Sequence, residues 1–154
     1  DVTEQFRIND VNAAFASWHP TPKAFQLQNA TGKMVQYQAA DGTMAQAYEI
    51  KAAKKTNNYL LVIQEWWGLN DHIKAEAEKL AADLGNVNVL AIDMYDGRVA
   101  ATPDSAMAYM RSTSTERLQT IVKATLAYAG PKANIYTIGW CFGGMWSLQT
   151  ALLA

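Results

Sequence analysis

The sequence predicts an α/β domain, a β-hairpin followed by β-α-β-α-β-α. Three observations carry that prediction. Tyr59-Leu60-Leu61-Val62-Ile63 is a continuous apolar run, the pattern of a parallel strand covered on both faces. Residues 71–85 place Ile73, Ala77, Leu80, Ala81 and Leu84 on one helical stripe, and a second buried strand follows at residues 87–92. Two strands joined by a helix make a right-handed βαβ unit. Finally, Asn134-Ile135-Tyr136-Thr137-Ile138 reads as a short strand that runs into a glycine-rich turn and then a helix.

The chain has 154 residues, enough for one domain with its own core, and half of them are hydrophobic. A net charge of −1 argues against a nucleic-acid surface, which needs a clear basic excess. No apolar run is long enough to span a bilayer, so no membrane partner is expected. A single cysteine excludes an internal disulfide and names no redox compartment. A soluble protein of the cytoplasm or periplasm is the expectation. Asp1, with no initiator Met and no signal-peptide pattern, reads as a processed or engineered end.

Residues 1–32 read as an irregular arm outside the domain, with a short helix near residues 11–17. Pro20 and Pro22 break any longer helix, and His19 beside Pro20 reads as a surface or packing residue. Residues 33–154 form the α/β part. Residues 34–39 and 44–50 alternate around the turn signal Asp41-Gly42 and form the hairpin at one edge of a sheet. The polar stretch with Lys51, Lys54 and Lys55 is a solvated loop. Asn70 or Asp71 can cap the first helix, and Gly85 ends it. After a loop at residues 93–101, Thr102-Pro103-Asp104 opens a second helix with Pro at its first position. Thr113-x-x-Glu116 reads as a capping box that opens a third, and Gly130-Pro131 stops it. The last helix is expected over residues 145–154.

The chemistry centres on Gly139-Trp140-Cys141-Phe142-Gly143-Gly144. A nucleophile on a sharp strand-to-helix turn needs small residues two positions away on each side, and Gly139 and Gly143 supply them. A free cysteine can also be a small buried hydrophobe; the two-sided glycine spacing favours the nucleophile. The helix N-terminus under Cys141 is expected to favour thiolate over thiol and to bring its pKa below the free-cysteine value. In an open parallel sheet, ligands bind at the carboxyl ends of the strands. Those ends deliver Glu65-Trp66-Trp67, Asp93-Met94-Tyr95-Asp96-Gly97-Arg98 and Cys141 to one place. The backbone N–H groups of Phe142 and Trp66 are the candidate oxyanion donors, and Glu65 would project toward the cysteine.

Together, Gln64-Glu65-Trp66-Trp67-Gly68-Leu69-Asn70, Asp93-Met94-Tyr95 and the Cys141 turn resemble the dienelactone hydrolase family of α/β-hydrolases, from about residue 33 onward. The resemblance implies an α/β-hydrolase-like, mostly parallel sheet. It implies a hydrolase cleaving an ester or lactone through a Cys141 acyl-enzyme, with Glu65 contacting the cysteine and with no cofactor or metal. Trp67, Tyr95 and Arg98 would touch substrate; the family's substrate-carboxylate arginines have no match in register here, Arg98 and Arg111 only lying in that region, so an ester or lactone other than a dienelactone is the expected substrate.

In this fold the acid and histidine of the triad follow the nucleophile. No Asp, Glu or His follows Cys141. His72 precedes it and reads as a helix-start or packing residue. The domain is therefore expected to be incomplete and inactive alone. Its partners would be the C-terminal remainder of the same protein, carrying the missing acid and histidine beyond residue 154, and a small ester or lactone. Two other readings stand beside it. One is a non-catalytic module that binds through an aromatic surface of Trp66, Trp67, Tyr95, Trp140 and Trp146. The other is a thiol sensor at Cys141, against which the Glu65 carboxylate weighs.

Overall fold

The computed structural model describes residues 19–154. Five strands form one sheet: β1 (Lys33–Gln38), β2 (Met44–Ile50), β3 (Asn58–Ile63), β4 (Asn88–Ile92) and β5 (Asn134–Gly139). Four helices accompany them: α1 (Asp71–Leu84), α2 (Pro103–Ser112), α3 (Thr115–Ala129) and α4 (Phe142–Leu153). The spatial order is β1-β2-β4-β3-β5. β1 and β2 are the expected hairpin, and β2 joins β4 antiparallel. β3 lies parallel to both β4 and β5. The helix expected over residues 11–17 lies outside the described residues.

The central strand explains the two-layer core. Alternate residues of β3 point to opposite faces. Leu61 and Ile63 join Leu90, Ile92, Leu118, Ile121, Val122, Phe142 and Trp146 on the side of α3 and α4. Leu60 and Val62 join Val89, Ile73 and Ala77 on the side of α1. Both faces are therefore sealed, which is why the sequence of β3 has no polar position after Tyr59.

The helix ends follow mostly local chemistry. Asn70 caps α1, its Oδ1 accepting from the Ile73 N–H at 3.1 Å. Gly85 at φ 75° closes it. The capping box, however, belongs to α2, where Thr102 and Ser105 exchange bonds around Pro103. Thr113 does not open α3 as the sequence pattern suggests; it ends α2, its N–H and hydroxyl both donating to the Tyr109 carbonyl. Ser114 caps α3 instead, accepting from the Arg117 N–H at 3.1 Å. The shift by one residue has a plain cause: a Thr that still closes one helix cannot supply the cap of the next. The last helix starts at Phe142, three residues before the expected start, because the two glycines of the turn already have helical backbone.

Candidate active site

The register brings three strand ends level. Ile63 pairs with Ile92 on one side and with Gly139 on the other. Glu65, Asp93 and Cys141 each sit one or two residues beyond that row. Two buried side chains hold the loops there. Gln64 Oε1 accepts from the Met94 N–H at 2.9 Å, tying the end of β3 to the end of β4. Asp93 accepts from the N–H groups of Tyr95 and Gly97, at 3.0 and 2.7 Å, and shapes the turn after β4.

Cys141 occupies a position L-residues seldom adopt, φ 56° and ψ −119°, at the step from β5 into α4. The glycines make that step possible by close approach. A Cβ on Gly139 would stand 2.1 Å from the Gly143 carbonyl oxygen. One on Gly143 would stand 2.2 and 2.3 Å from the carbonyl oxygens of Ile63 and Gln64. The first turn of α4 thus lies directly on the end of β3, and the strained residue between the glycines is pushed out toward the cleft.

That cleft, of about 530 Å³, is lined by His19, Glu65, Trp67, His72, Glu76 and Trp140, among others. The Cys141 sulfur is half-buried, 3.1 Å from Nε2 of His19, which lines the cleft. The His19 ring stands edge-on to Trp66, with centroids 5.8 Å apart. Burial pushes the Cys141 thiol up to about 11; the Phe142 N–H donating to the sulfur opposes this, and the nearby Glu65 carboxylate adds to it. Burial also raises Glu65, against the pull of His19 and His72.

Two expectations need correction here. The helix N-terminus does favour thiolate through the Phe142 N–H, but desolvation is larger and the net shift of the thiol is upward. His19, read as a surface or packing residue, lies on the sulfur. No local sequence pattern marks it, because the contact is made across 122 residues. His72 does keep its expected structural place. Its Nε2 donates to the Lys23 carbonyl at 2.8 Å, and its ring stacks on Phe25.

Of the remaining residues singled out by sequence, Trp67 lines the cleft and Trp66 and Phe142 are fully buried beside it. Tyr95 is buried, tilted against Phe142 with centroids 5.8 Å apart. Arg98 donates to the Tyr95 carbonyl, Ser112 Oγ and Thr113 Oγ1 at 2.8–3.0 Å and lies over the Tyr109 ring. Neither Tyr95 nor Arg98 lines the cleft. The continuous aromatic surface of the non-catalytic reading does not form either: Trp66, Tyr95 and Trp146 are core residues, and Trp140 alone of the five is exposed.

A dienelactone hydrolase family model matches residues 43–154, nearly three-quarters of the chain. The chain belongs to the dienelactone hydrolase family. Its similarity to "Protein usf" of Aquifex pyrophilus is 31% identity over 132 residues, covering 78% of this chain and 55% of that protein. The solved structure titled "m3DLH" superposes with a TM-score of 0.60 at 27% identity, covering 79% of this chain and 54% of the other. A dienelactone hydrolase-like promiscuous phosphotriesterase from metagenomic libraries gives a TM-score of 0.52 at 29% identity, again covering 79% of this chain and 54% of the other. The chain thus spans about half the length of the relatives it matches. Membership of the dienelactone hydrolase family fixes the fold as that of an α/β-hydrolase. Among the described residues no helix is long and apolar enough to cross a membrane.

One consequence of the Glu65 geometry can be read in solution. Glu65→Gln removes a negative charge whose field raises the Cys141 thiol. The thiol should then titrate lower than in the wild type, followed by thiolate absorbance in the ultraviolet. An unchanged or higher midpoint would mean that the Glu65 charge does not reach the sulfur.

Proposed function

We propose that the protein hydrolyses a carboxylic ester or lactone, with Cys141 as nucleophile. The observation that carries this is the sulfur itself: on a residue held at φ 56° between two close-approach glycines, and in contact with an imidazole nitrogen. A buried structural cysteine needs none of these. In the proposed reaction the sulfur attacks the acyl carbon, and the N–H groups of Phe142 and Trp66 receive the oxyanion. The alcohol leaves, and water then releases the acid from the thioester. Trp67 borders the space the acyl group would enter, while Glu65 sets the charge beside it. The triad order of this fold puts the acid and histidine after the nucleophile, so that they would lie beyond Ala154.

The test is to trap the intermediate. Brief mixing with an aryl acetate, acid quenching and peptide mass spectrometry should find one acetyl group on Cys141. Aryl ester turnover with no acyl adduct on the peptide containing Cys141 would count against the proposal, as would an adduct at another residue alone.

A further inference from the structure

The arm at residues 19–32 precedes the residues matched by the family model, and its two halves are held differently. The later half rests on carboxylates of α1. The Leu27 N–H donates to Asp71 Oδ2 at 2.9 Å. The N–H groups of Thr31 and Gly32 donate to Glu78 Oε1 at 2.8 and 2.9 Å. Bonds to a charged acceptor are the stronger kind, and Leu27 also packs against the core beneath α1. The earlier half is gripped by His72, whose ring donates to the Lys23 carbonyl and stacks on Phe25. From residue 20 to residue 31, Pro22 and Leu27 are partly buried and the others are exposed, Phe25 keeping 48% of its surface in water. A segment that buries so little belongs to the part of a protein that opens at low cost.

That earlier half also borders the cleft. His19, Pro20 and Pro22 line it, opposite Glu65, Trp67 and Trp140 in the chain's α/β part. Cys141 is not among the lining residues, whereas His19 is, and His19 lies 3.1 Å from the sulfur. We propose that residues 19–25 are a strap that closes the cleft over Cys141, turns about Leu27 and selects by size what reaches the sulfur. The two prolines suit that role, since each fixes its own φ and holds the residue before it extended, so the segment moves as a unit. The inference rests on the proposed function only in taking this cleft as the entrance for the acyl group.

Strap and cleft occupant are then coupled in both directions. A group on the sulfur too large for the closed cleft displaces the strap, and a loosened strap admits larger groups. Lys23 reports which position the strap holds. Its carbonyl is the one trypsin attacks, and in the closed form His72 Nε2 donates to it at 2.8 Å, so cleavage between Lys23 and Ala24 follows the open population. Phe25 is the residue to change. Its ring stacks on His72 and does not line the cleft, so Phe25→Ala loosens the strap and leaves the lining as it was.

The 154-residue chain suits the test, since Cys141 is its one cysteine. Two reagents with the same reactive group are compared at pH 8.5, iodoacetamide and a fluorescein-bearing iodoacetamide, each rate divided by that with free cysteine. A change in thiolate content moves both rates alike, so the large-to-small ratio reads access and not titration. The ratio should lie well below one in the wild type and rise roughly fivefold in Phe25→Ala, the size that losing one ring stack allows. Trypsin should cut after Lys23 faster in Phe25→Ala than in the wild type. It should also cut faster in wild-type protein carrying the fluorescein group on Cys141 than in protein carrying the small acetamide group. A ratio unchanged by Phe25→Ala overturns the proposal, whether or not cleavage speeds up. Equal cleavage of the two labelled proteins overturns it as well, because the sulfur and the strap are then independent. Acetyl trapping on Cys141 separates this from the function. An adduct with an unchanged ratio keeps Cys141 as nucleophile and removes the strap; a ratio that Phe25 controls, with no adduct, keeps the strap and removes the esterase reading.

Discussion

Cys141→Ala should lower kcat/KM for an aryl ester by at least about a thousandfold while the protein stays folded. The size follows from the proposed role: losing a nucleophile would cost the covalent route altogether and leave only binding and any oxyanion stabilisation. The fold should survive because alanine at φ 56° is no more strained than cysteine, and the side chain is only half-buried, with its hydrogen bond going to an arm residue. The melting temperature is therefore expected within a few degrees of the wild type. Cys141→Ser is the sharper companion. Its hydroxyl holds its proton far more tightly than a thiol, so an imidazole that suffices for sulfur leaves the serine slow. Turnover by Cys141→Ala within tenfold of the wild type would show that the reaction, if there is one, does not pass through the sulfur.

How much of this could be read from residues alone depended on the range of the interaction. The apolar run of β3 and the stripe on α1 are local patterns, and both elements stand where the patterns put them. Strand direction then placed Glu65 and Cys141 at the same end of the sheet. The α2–α3 junction shows the limit of local reading: Thr113-x-x-Glu116 fits a capping motif, yet the Thr113 hydroxyl is taken by the preceding helix and by Arg98. Two further features depend on burial and on distant contacts. The thiol sits at a helix start, which pattern can see, and is desolvated by burial, which pattern cannot see; the second decides the direction of its shift. His19 reaches the sulfur because α1 side chains some 44 to 49 residues further along the chain hold its arm. Nothing within the arm's own sequence encodes where it lies.

The glycines of the turn give the largest expected effect on stability. Gly143→Ala places a Cβ 2.2 and 2.3 Å from two backbone carbonyl oxygens of residues 63 and 64. Those oxygens belong to the end of the central strand, which is hydrogen-bonded on both sides and cannot move without breaking its ladders. A flexible side chain could swing away from such a clash; backbone cannot. The overpacking should cost about 3 kcal/mol or more, against a typical total of about 5–15 kcal/mol. For a chain of this size that corresponds to a melting temperature lower by roughly 6–12 °C. Gly144→Ala is the control, one residue on and in the same helix. Its Cβ would stand 3.3 Å from the Gly139 carbonyl oxygen, a tight but tolerable contact, and alanine's better helix propensity offsets part of that. It should shift the midpoint by only a few degrees in either direction. The position of Cys141 should follow the same order: Gly143→Ala must either unfold the turn or lift α4 from β3, and the latter moves the sulfur away from the Phe142 N–H and from His19. Thermal denaturation of the two variants side by side decides it. Equal midpoints, with Cys141 labelled at the wild-type rate in both, would show that the close approach of α4 to β3 is not what holds Cys141 in place.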